Sequence, residues 1–428
     1  MSAAVPTRAP RALRPFLVGQ YRVLVAAAVA SLLGAGLWVV AIVFQVVALG
    51  GGPVQVSFVA TASSLGLLAF VLLGGVAADR VPRRTILLAV EATKALTVGT
   101  VAVLALTDAV QLWHLVVAAF ALSVADAFFY PAWSAILPSI LPADDLLAAN
   151  GIEGVVRPLV LQAAGPALAG LLISGWSPGA AFAVHAAAQL LAVAVLLRLA
   201  PTPVLREPAA EVTGAVRGVL ADLHEGYRYM VRTPWLLATL LYACVLVLLT
   251  MGPIEVLLPF AVREQTGGGA SSFALVLAMY GVGCAVGAVV TASLPLARRY
   301  LTVMVLLWGV GCVPLAAVGV VPQLWLMAGL LFVVGVSFQA ASVIWGTLLQ
   351  RRVPASMLGR VSSLDFFVSL ALMPVSMAVA GPVGEHIGIA PAFAVAGLAP
   401  TLLAVITIVA ARMPADEIAN PLDPARPR

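Results

Sequence analysis

The chain has 428 residues, of which 62% are hydrophobic and 10% are charged, and its mean hydropathy is +1.10. Soluble proteins carry about 25% charged residues, so this composition excludes an ordinary soluble protein and predicts one embedded in lipid. The formal net charge of +5 is spread over many short segments. The clustered basic face of a nucleic-acid-binding protein is therefore not expected.

Taken in chain order, twelve apolar segments are each long enough to span a bilayer, which takes about 20 helical residues. They cover residues 23–49, 54–78, 84–106, 111–137, 155–175, 179–199, 235–262, 271–296, 301–321, 323–349, 359–384 and 389–411. Prolines interrupt the fifth and seventh segments, whose limits are the least well defined. The pattern predicts an all-α polytopic membrane protein with twelve transmembrane helices.

One long polar break divides the chain into two halves. The predicted organisation is a segment at 1–22, a six-helix half at 23–199, a linker at 200–234, a second six-helix half at 235–412 and a tail at 413–428. Apolar residues recur at helical spacing within the linker, among them Leu220, Leu223 and Tyr227. This spacing predicts an amphipathic helix at the membrane surface, with a plain tether as the alternative.

Arginine is concentrated in the loops that would lie on one side of the membrane. That side holds Arg80, Arg83, Arg84, Arg298, Arg299, Arg351, Arg352 and Arg360, together with the arginines of the linker and the tail. The loops of the other side hold Arg263 alone. Short loops rich in lysine and arginine stay in the cytoplasm. Both termini are therefore predicted to be cytoplasmic and the protein to lie in the cell membrane.

The loop between the second and third segments reads Gly75-Val-Ala-Ala-Asp79-Arg80-Val-Pro-Arg83-Arg84. Asp79, at the end of a helix, can pair with Arg83 or Arg84, or accept backbone N–H groups from the N-terminus of a neighbouring helix. We interpret Asp79 as a conformational latch between the halves, whose strength the three arginines set. The alternative is that these charges only set the topology.

Charged side chains inside apolar segments are costly unless they are paired or face a wet cavity. Glu91 and Lys94 are three residues apart and can pair on one helix face, although Glu91 is also a proton-coupling candidate. Asp126, in the middle of the fourth segment, is the first candidate for proton coupling, with a salt bridge to Arg157 or the loop arginines as the alternative. Glu255, beside a Gly-Pro break, is the next candidate, or else lies at the exit of the pathway.

Further charges are interpreted as pairs. Glu153 and Arg157 are four residues apart in the order that favours an ion pair on a helix. Asp365 lies near the cytoplasmic end of the eleventh segment and is predicted to pair with Arg360 or Arg351.

The Gly75–Arg84 loop resembles the signature of the major facilitator superfamily, with Ala77 where leucine is usual and Pro82 where glycine is usual. Other stretches resemble the branch that contains enterobactin exporters and macrolide efflux proteins, namely Pro131-Ala-Trp-Ser-Ala-Ile-Leu-Pro138, Leu146-Leu-Ala-Ala-Asn150-Gly151, Gly165-Pro-Ala-Leu-Ala-Gly170, residues 222–230 and Leu358-Gly-Arg-Val-Ser-Ser. The likeness covers almost the whole chain. It implies two six-helix bundles, alternating access and proton-coupled export, with the Gly359–Arg360 stretch as the partner of Asp79.

No constellation of residues typical of an enzyme is found. The four histidines are dispersed, without the spacing of a metal site, and no phosphate-binding glycine-lysine loop is present. Lys94 is the only lysine. We therefore expect no catalytic residue, no metal and no cofactor, and a proton gradient as the energy source.

The predicted function is export of hydrophobic or amphipathic small molecules, drug-like or siderophore-like, by a monomeric proton antiporter. One alternative is an importer or facilitator of a polar solute on the same fold. Another is a membrane receptor that does not transport. Fold likeness alone does not separate these functions.

Overall fold

A computed structural model describes residues 11–201 and 225–422 of the chain. These residues include twelve helices long and apolar enough to cross a membrane, which confirms the predicted fold class. Most of the predicted linker helix, at 202–224, lies outside the described residues; its last part, 225–232, is helical.

The spanning helices are α1 (Gly19–Ala48), α2 (Pro53–Arg80), α3 (Arg83–Leu106), α4 (Leu112–Ile140), α5 (Ala143–Arg157, Pro158–Ala164 and Gly165–Gly175), α6 (Pro178–Leu196), α7 (Pro234–Gly252, Pro253–Leu257 and Leu258–Thr266), α8 (Ala270–Ser293), α9 (Tyr300–Val310 and Leu315–Val318), α10 (Leu324–Arg352), α11 (Ala355–Leu370 and Met373–His386) and α12 (Ile389–Ala410). A 3₁₀ helix, Arg11–Leu17, precedes α1, and a short helix α13, Met413–Ala419, follows α12.

Helix α5 begins earlier than predicted. It starts at Ala143, whereas the apolar pattern suggested residue 155. The missed part contains acidic residues, which kept it below the hydropathy of a spanning segment. Helical structure nevertheless continues from there into the bilayer, so Glu153 and Arg157 lie within the helix rather than at its entrance.

Prolines change the helical repeat of α5 and α7. Pro158 opens a π-helical segment in α5, and Pro253 opens another in α7. Proline has no N–H to donate, so one of the i→i−4 hydrogen bonds of the α-helix cannot form there. The helix continues instead with the wider π-helical turn. Glu255 lies on the second of these segments.

Within each half, glycine allows two helices to approach closely. A Cβ atom on Gly74 of α2 would collide with the carbonyl oxygen of Ala127 on α4. In the second half, a Cβ on Gly283 of α8 would collide with the carbonyl of Phe332 on α10. Small residues permit backbone contact of this kind between membrane helices. The contact recurs between the second and fourth helices of each half.

The two halves meet along α2 with α11 and along α5 with α8. Near the α1–α2 loop, the Ser57 hydroxyl accepts a hydrogen bond from the Gly381 N–H at 2.8 Å, and Glu385 accepts one from the Val54 N–H at 3.2 Å. A Cβ atom on Gly170 of α5 would collide with Ala274 of α8. We call this end of the bundle the α1–α2 face. The halves are packed tightly together there.

Helix α13 folds back against the opposite end of the second half. Asp416 pairs with Arg352, the last residue of α10, at 2.5 Å. Glu417 accepts hydrogen bonds from the backbone N–H and the hydroxyl of Thr302 at 2.7 and 3.0 Å. Both contacts attach the tail of the chain to the ends of spanning helices.

Candidate functional site

A cluster of three charges lies inside the first half, between α3 and α4. The Lys94 ammonium is 2.6 Å from Asp126 Oδ1 and 3.8 Å from Glu91 Oε1. Lys94 and Glu91 are almost completely buried, whereas one third of the Asp126 side chain is exposed. The sequence predicted the Glu91–Lys94 contact, but the closer partner of Lys94 is Asp126.

Helix geometry explains why these groups converge. Glu91 and Lys94 are three residues apart on α3 and therefore share one face. Helix α4 packs against that face and presents Asp126, with Phe129 one turn further along. The Lys94 ammonium lies 4.8 Å from the centre of the Phe129 ring, a distance at which the ring also attracts the cation.

Ser31 of α1 completes the environment of Glu91. Its hydroxyl donates a hydrogen bond to Glu91 Oε1 at 2.8 Å, while Glu91 Oε2 is buried with no hydrogen-bond partner. An unpartnered buried carboxylate oxygen is costly when the group is charged. The charge of Glu91 is consequently less well compensated than that of Asp126, the other carboxylate beside Lys94.

The charges of the cluster do not balance when every group is ionised. Two carboxylates, Glu91 and Asp126, share the single ammonium of Lys94, which leaves a net charge of minus one in an apolar interior. An uncompensated charge there is strongly unfavourable. One proton bound to either carboxylate makes the cluster neutral. The arrangement is thus suited to holding one exchangeable proton.

A cavity of ≈ 180 Å³ opens beside the cluster. Its aromatic wall contains Trp38, Phe129 and Tyr130, and its polar wall contains Lys94 and Asp126. A mainly apolar pocket with a few polar groups is the usual form of a small-molecule site. The exposed part of the Asp126 carboxylate belongs to this lining.

Sequence reasoning missed five polar residues at this cavity, namely Ser31, Ser63, Ser123, His185 and Gln189. Gln189 Nε2 lies 3.0 Å from His185 Nε2 and 3.4 Å from the carbonyl oxygen of Ser31, which it can reach as a donor. All five are uncharged or weakly basic, whereas the sequence prediction considered only fully charged side chains. His185 and Gln189 lie four residues apart in an apolar segment, and that spacing was the available signal.

The predicted Glu153–Arg157 pair forms one turn along α5, with a nitrogen–oxygen distance of 2.9 Å. The Trp133 indole N–H of α4 donates to the other oxygen of Glu153, also at 2.9 Å. Arg157 stacks 5.1 Å from the ring centre of Tyr130 and lines the same cavity. This pair is electrically balanced, unlike the Lys94 cluster.

Glu255 lies in the second half, away from the Lys94 cluster. Its side chain is exposed, and in the described part of the chain it has no hydrogen bond or ion pair. Glu255 lies on the π-helical segment Pro253–Leu257, where the helical repeat differs from that of a regular α-helix. It is therefore an exposed carboxylate on a spanning helix, without a partner among the described residues.

The predicted pairing of Asp365 with Arg360 stays a prediction, and among the described side chains Asp365 pairs with no arginine. Asp365 instead accepts hydrogen bonds from the Trp345 indole N–H at 3.0 Å and from the Ser369 hydroxyl at 3.2 Å. Arg351 is exposed, and the side chain of Arg360 lies outside the described residues. Asp365 points towards α10, where the nearest donor is an indole rather than a guanidinium.

The predicted latch stays a prediction, because Gly75, Asp79, Arg80, Gly359 and Arg360 lie outside the residues whose side chains are described. Two members are described. Arg83 is buried, and Arg84 donates to the carbonyl oxygen of Leu197 at 2.8 Å, at the end of α6. A cation at a helix C-terminus is favourable, because the last carbonyl groups carry partial negative charge.

Comparison with known proteins identifies the family to which this chain belongs. A family model described as "Transmembrane secretion effector", of the major facilitator type, matches residues 11–426. The chain is a member of the major facilitator superfamily. It is 27% identical to the multidrug efflux pump Tap of Mycolicibacterium fortuitum, over 89% of this chain and 93% of Tap. It is 23% identical to macrolide efflux protein A of Streptococcus pyogenes, over 89% and 92% of the two chains.

The fold of this major facilitator protein also matches a solved structure of the nucleoside transporter NupG. The TM-score is 0.68 at 13% identity, covering 90% of this chain and 98% of NupG. The family and these relatives are transporters rather than enzymes. The protein is therefore a multi-pass membrane transporter of a small molecule, and the Lys94 cluster is the candidate site within its first bundle.

Proposed function

We propose that this protein exports hydrophobic or amphipathic small molecules across the cell membrane by proton antiport with alternating access. The observation that carries the proposal is the sharing of Lys94 between Glu91 and Asp126 beside the cavity. A site with one negative charge in excess can take up a proton in one conformation and release it in another. The proton gradient then supplies the energy, and no cofactor is needed.

Asp126 is the coupling residue in this proposal, and Glu91 is its partner. Asp126 is reached from the cavity, whereas Glu91 is enclosed by Ser31 and Lys94. A proton arriving through the cavity meets Asp126 first and weakens its hold on Lys94. Lys94 then turns to Glu91, so the charge of the site stays balanced. Glu255 is a second acid that a proton can reach, in the other bundle.

Two observations favour a hydrophobic cargo and the outward direction. The aromatic wall of Trp38, Phe129 and Tyr130 gives the cavity a mainly apolar lining. The relatives Tap and macrolide efflux protein A are both efflux proteins. With the arginine-rich loops and both termini in the cytoplasm, the protein would work as a monomer that moves its cargo out of the cell.

Proton release from inside-out vesicles with an acidified interior tests the proposal. Lipophilic drugs, macrolides and siderophores are added one at a time, and wild type is compared with Asp126→Asn. We expect at least one compound to discharge the gradient with wild type, and the effect to be lost in the variant. Asp108→Asn is the matched control, because it makes the same chemical change in the exposed α3–α4 loop and should behave like wild type.

Cargo movement without any proton flux would contradict antiport and favour a facilitator. Absence of movement for every compound, with protein correctly inserted, would contradict drug export. Discharge that persists in Asp126→Asn would assign the coupling to another acid, and Glu255→Gln would then be measured in the same assay.

A further inference from the structure

A tryptophan and a carboxylate meet in the same way in both halves of the protein. In the first half, Trp133 of α4 donates to Glu153 of α5. In the second half, Trp345 of α10 donates to Asp365 of α11. Each pair is separated by 20 residues and spans the short connection between its two helices. The second pair is therefore the structural repeat of the first.

Both carboxylates lie on the first segment of a broken helix. The first segment of α5 ends at Arg157, where the π-helical segment begins. The first segment of α11 ends at Leu370, and regular α-helix resumes at Met373. The carboxylate precedes the break by about one turn in each helix. Each first segment can therefore turn relative to the rest of its helix while the tryptophan ties it to the preceding helix.

These two helices are also the ones through which the halves touch. Helix α5 packs on α8 mainly through the parts that follow its break, and α11 packs on α2 through its second segment, Met373–His386. A turn at either break therefore changes the position of the first segment relative to the contact between the halves. The tryptophan–carboxylate pairs consequently lie where they can influence alternation between conformations.

The pairs differ at one position, four residues after the carboxylate. That position is Arg157 in α5, which forms an ion pair with Glu153, and Ser369 in α11, which offers Asp365 a neutral hydroxyl. Among the described side chains, Asp365 is held by neutral donors only. Protonating Asp365 therefore breaks no ion pair within the described residues, whereas protonating Glu153 removes the partner of Arg157.

Other titratable groups near the first segment of α11 are already engaged or point away. On α10, Arg352 is paired with Asp416, and Arg351 is exposed. On α7, Cys244 lies against the backbone of Leu372, at the break itself. On α11, Arg360 lies outside the residues whose side chains are described.

We propose that Asp365 is a proton-responsive positioning residue for α11. When it is charged, it holds the first segment of α11 to α10 through Trp345, because a hydrogen bond to a charged acceptor is about twice as strong as one between neutral groups. When it is protonated, the hold weakens and the segment turns at Ala371–Leu372. In α5, the ion pair with Arg157 keeps Glu153 charged, so the bond from Trp133 continues to hold that segment to α4. This inference rests on the proposed proton-driven cycle and adds a residue of the second bundle to it.

The test measures the position of the segment directly. Spin labels are placed on the exposed residues Val333 of α10 and Phe367 of α11, after the three native cysteines are replaced by alanine. The distance between the labels is measured from about pH 8 to about pH 5, so that the same protein is compared under less acidic and more acidic conditions. We expect the distance to change with pH in the otherwise unmodified protein.

Three variants separate a positioning role from a merely structural one. Asp365→Asn should show the low-pH distance at every pH. Ser369→Arg gives Asp365 the partner that Glu153 has and should show the high-pH distance at every pH. Trp345→Phe keeps the ring but removes the donor, and it should resemble Asp365→Asn.

A pH-dependent distance that persists in Asp365→Asn would overturn the inference, as would a distance that does not respond to pH in the unmodified protein. The measurement needs no cargo. A segment that responds to pH in vesicles without proton-coupled transport would therefore contradict the proposed function alone. Proton-coupled transport with an immobile segment would contradict this inference alone.

Discussion

At the scale of single residues, one lysine determines the electrostatics of the first bundle. Lys94 is buried and is shared by Glu91 and Asp126, so each of the three groups depends on the other two. Removing one partner of a buried ion pair leaves a charge without compensation. The effect of a substitution here therefore depends on the total charge that remains.

Lys94→Met should destabilise the protein by about 3–5 kcal/mol, because two buried carboxylates then face each other without a cation. The double variant Lys94→Met/Asp126→Asn restores the net charge of minus one and should recover part of this loss. Thermal unfolding in detergent, measured for both variants, checks the prediction. A double variant less stable than Lys94→Met would contradict the charge-balance account.

At the scale of helices, specific contacts stabilise the ends of helices and the places where two helices cross. The buried carboxylate of Glu417 on α13 accepts the backbone N–H of Thr302 in the first turn of α9. It acts as an N-cap supplied by another helix, and its negative charge faces the positive end of the helix dipole. The short tail helix thereby stabilises a spanning helix.

Glu417→Gln should lower stability by about 1 kcal/mol, because the amide oxygen can still accept the Thr302 N–H and only the interaction of the charge with the helix dipole is lost. Glu264→Gln, at an exposed position near the end of α7, is the control and should change stability by less than about 0.5 kcal/mol. The midpoint of thermal unfolding, monitored by circular dichroism, compares them. Equal midpoints for the two variants would show that the cap does not contribute.

Gly283→Ala tests the close crossing of α8 and α10. The added methyl group would collide with the carbonyl of Phe332, and overpacking of this kind costs about 1–3 kcal/mol. Gly329→Ala, on α10, places a methyl group in open space and should be neutral or slightly stabilising, because alanine favours helix. Unfolding of the two variants under identical conditions gives the difference in their stability. A Gly283→Ala variant as stable as wild type would mean that the two helices can move apart at no cost in free energy.

At the scale of the whole molecule, the halves are closed against each other at the α1–α2 face. Backbone N–H groups of α2 and α11 are satisfied by side chains of the opposite half, through Ser57 and Glu385. In the proposed alternating-access cycle, these contacts would break so that the site could open to that side. The α1–α2 face would then act as a gate between the bundles.

Cross-linking this gate should arrest transport. With the native cysteines replaced, Val54→Cys and Glu385→Cys would be joined by a short, reducible bifunctional maleimide. Transport should fall to the background level and return on reduction, because the halves can separate again. The matched controls are the single variants Val54→Cys and Glu385→Cys treated with the same reagent, which cannot link the halves and should keep transport. Transport that continues through a linked gate would contradict its opening.

The number and order of the spanning helices, and the division into halves, could be predicted from the amino-acid sequence. They follow from the number of consecutive apolar residues needed to span a bilayer and from the free-energy cost of placing a charge inside it. The same cost identified Glu91, Lys94, Asp126 and Glu255 as residues to consider. The assignment of the chain to its superfamily also followed from the sequence, through the Gly75–Arg84 loop.

The side-chain contacts between helices became known from the packing of the bundle. Asp126 pairs with Lys94 rather than with an arginine, Asp365 accepts from Trp345, and Ser31 reaches Glu91 from another helix. A membrane helix is apolar towards lipid and towards its neighbours alike, so its periodicity does not reveal its packing face. The contacts between helices depend on how small residues let the backbones approach, and that is settled when the bundle assembles.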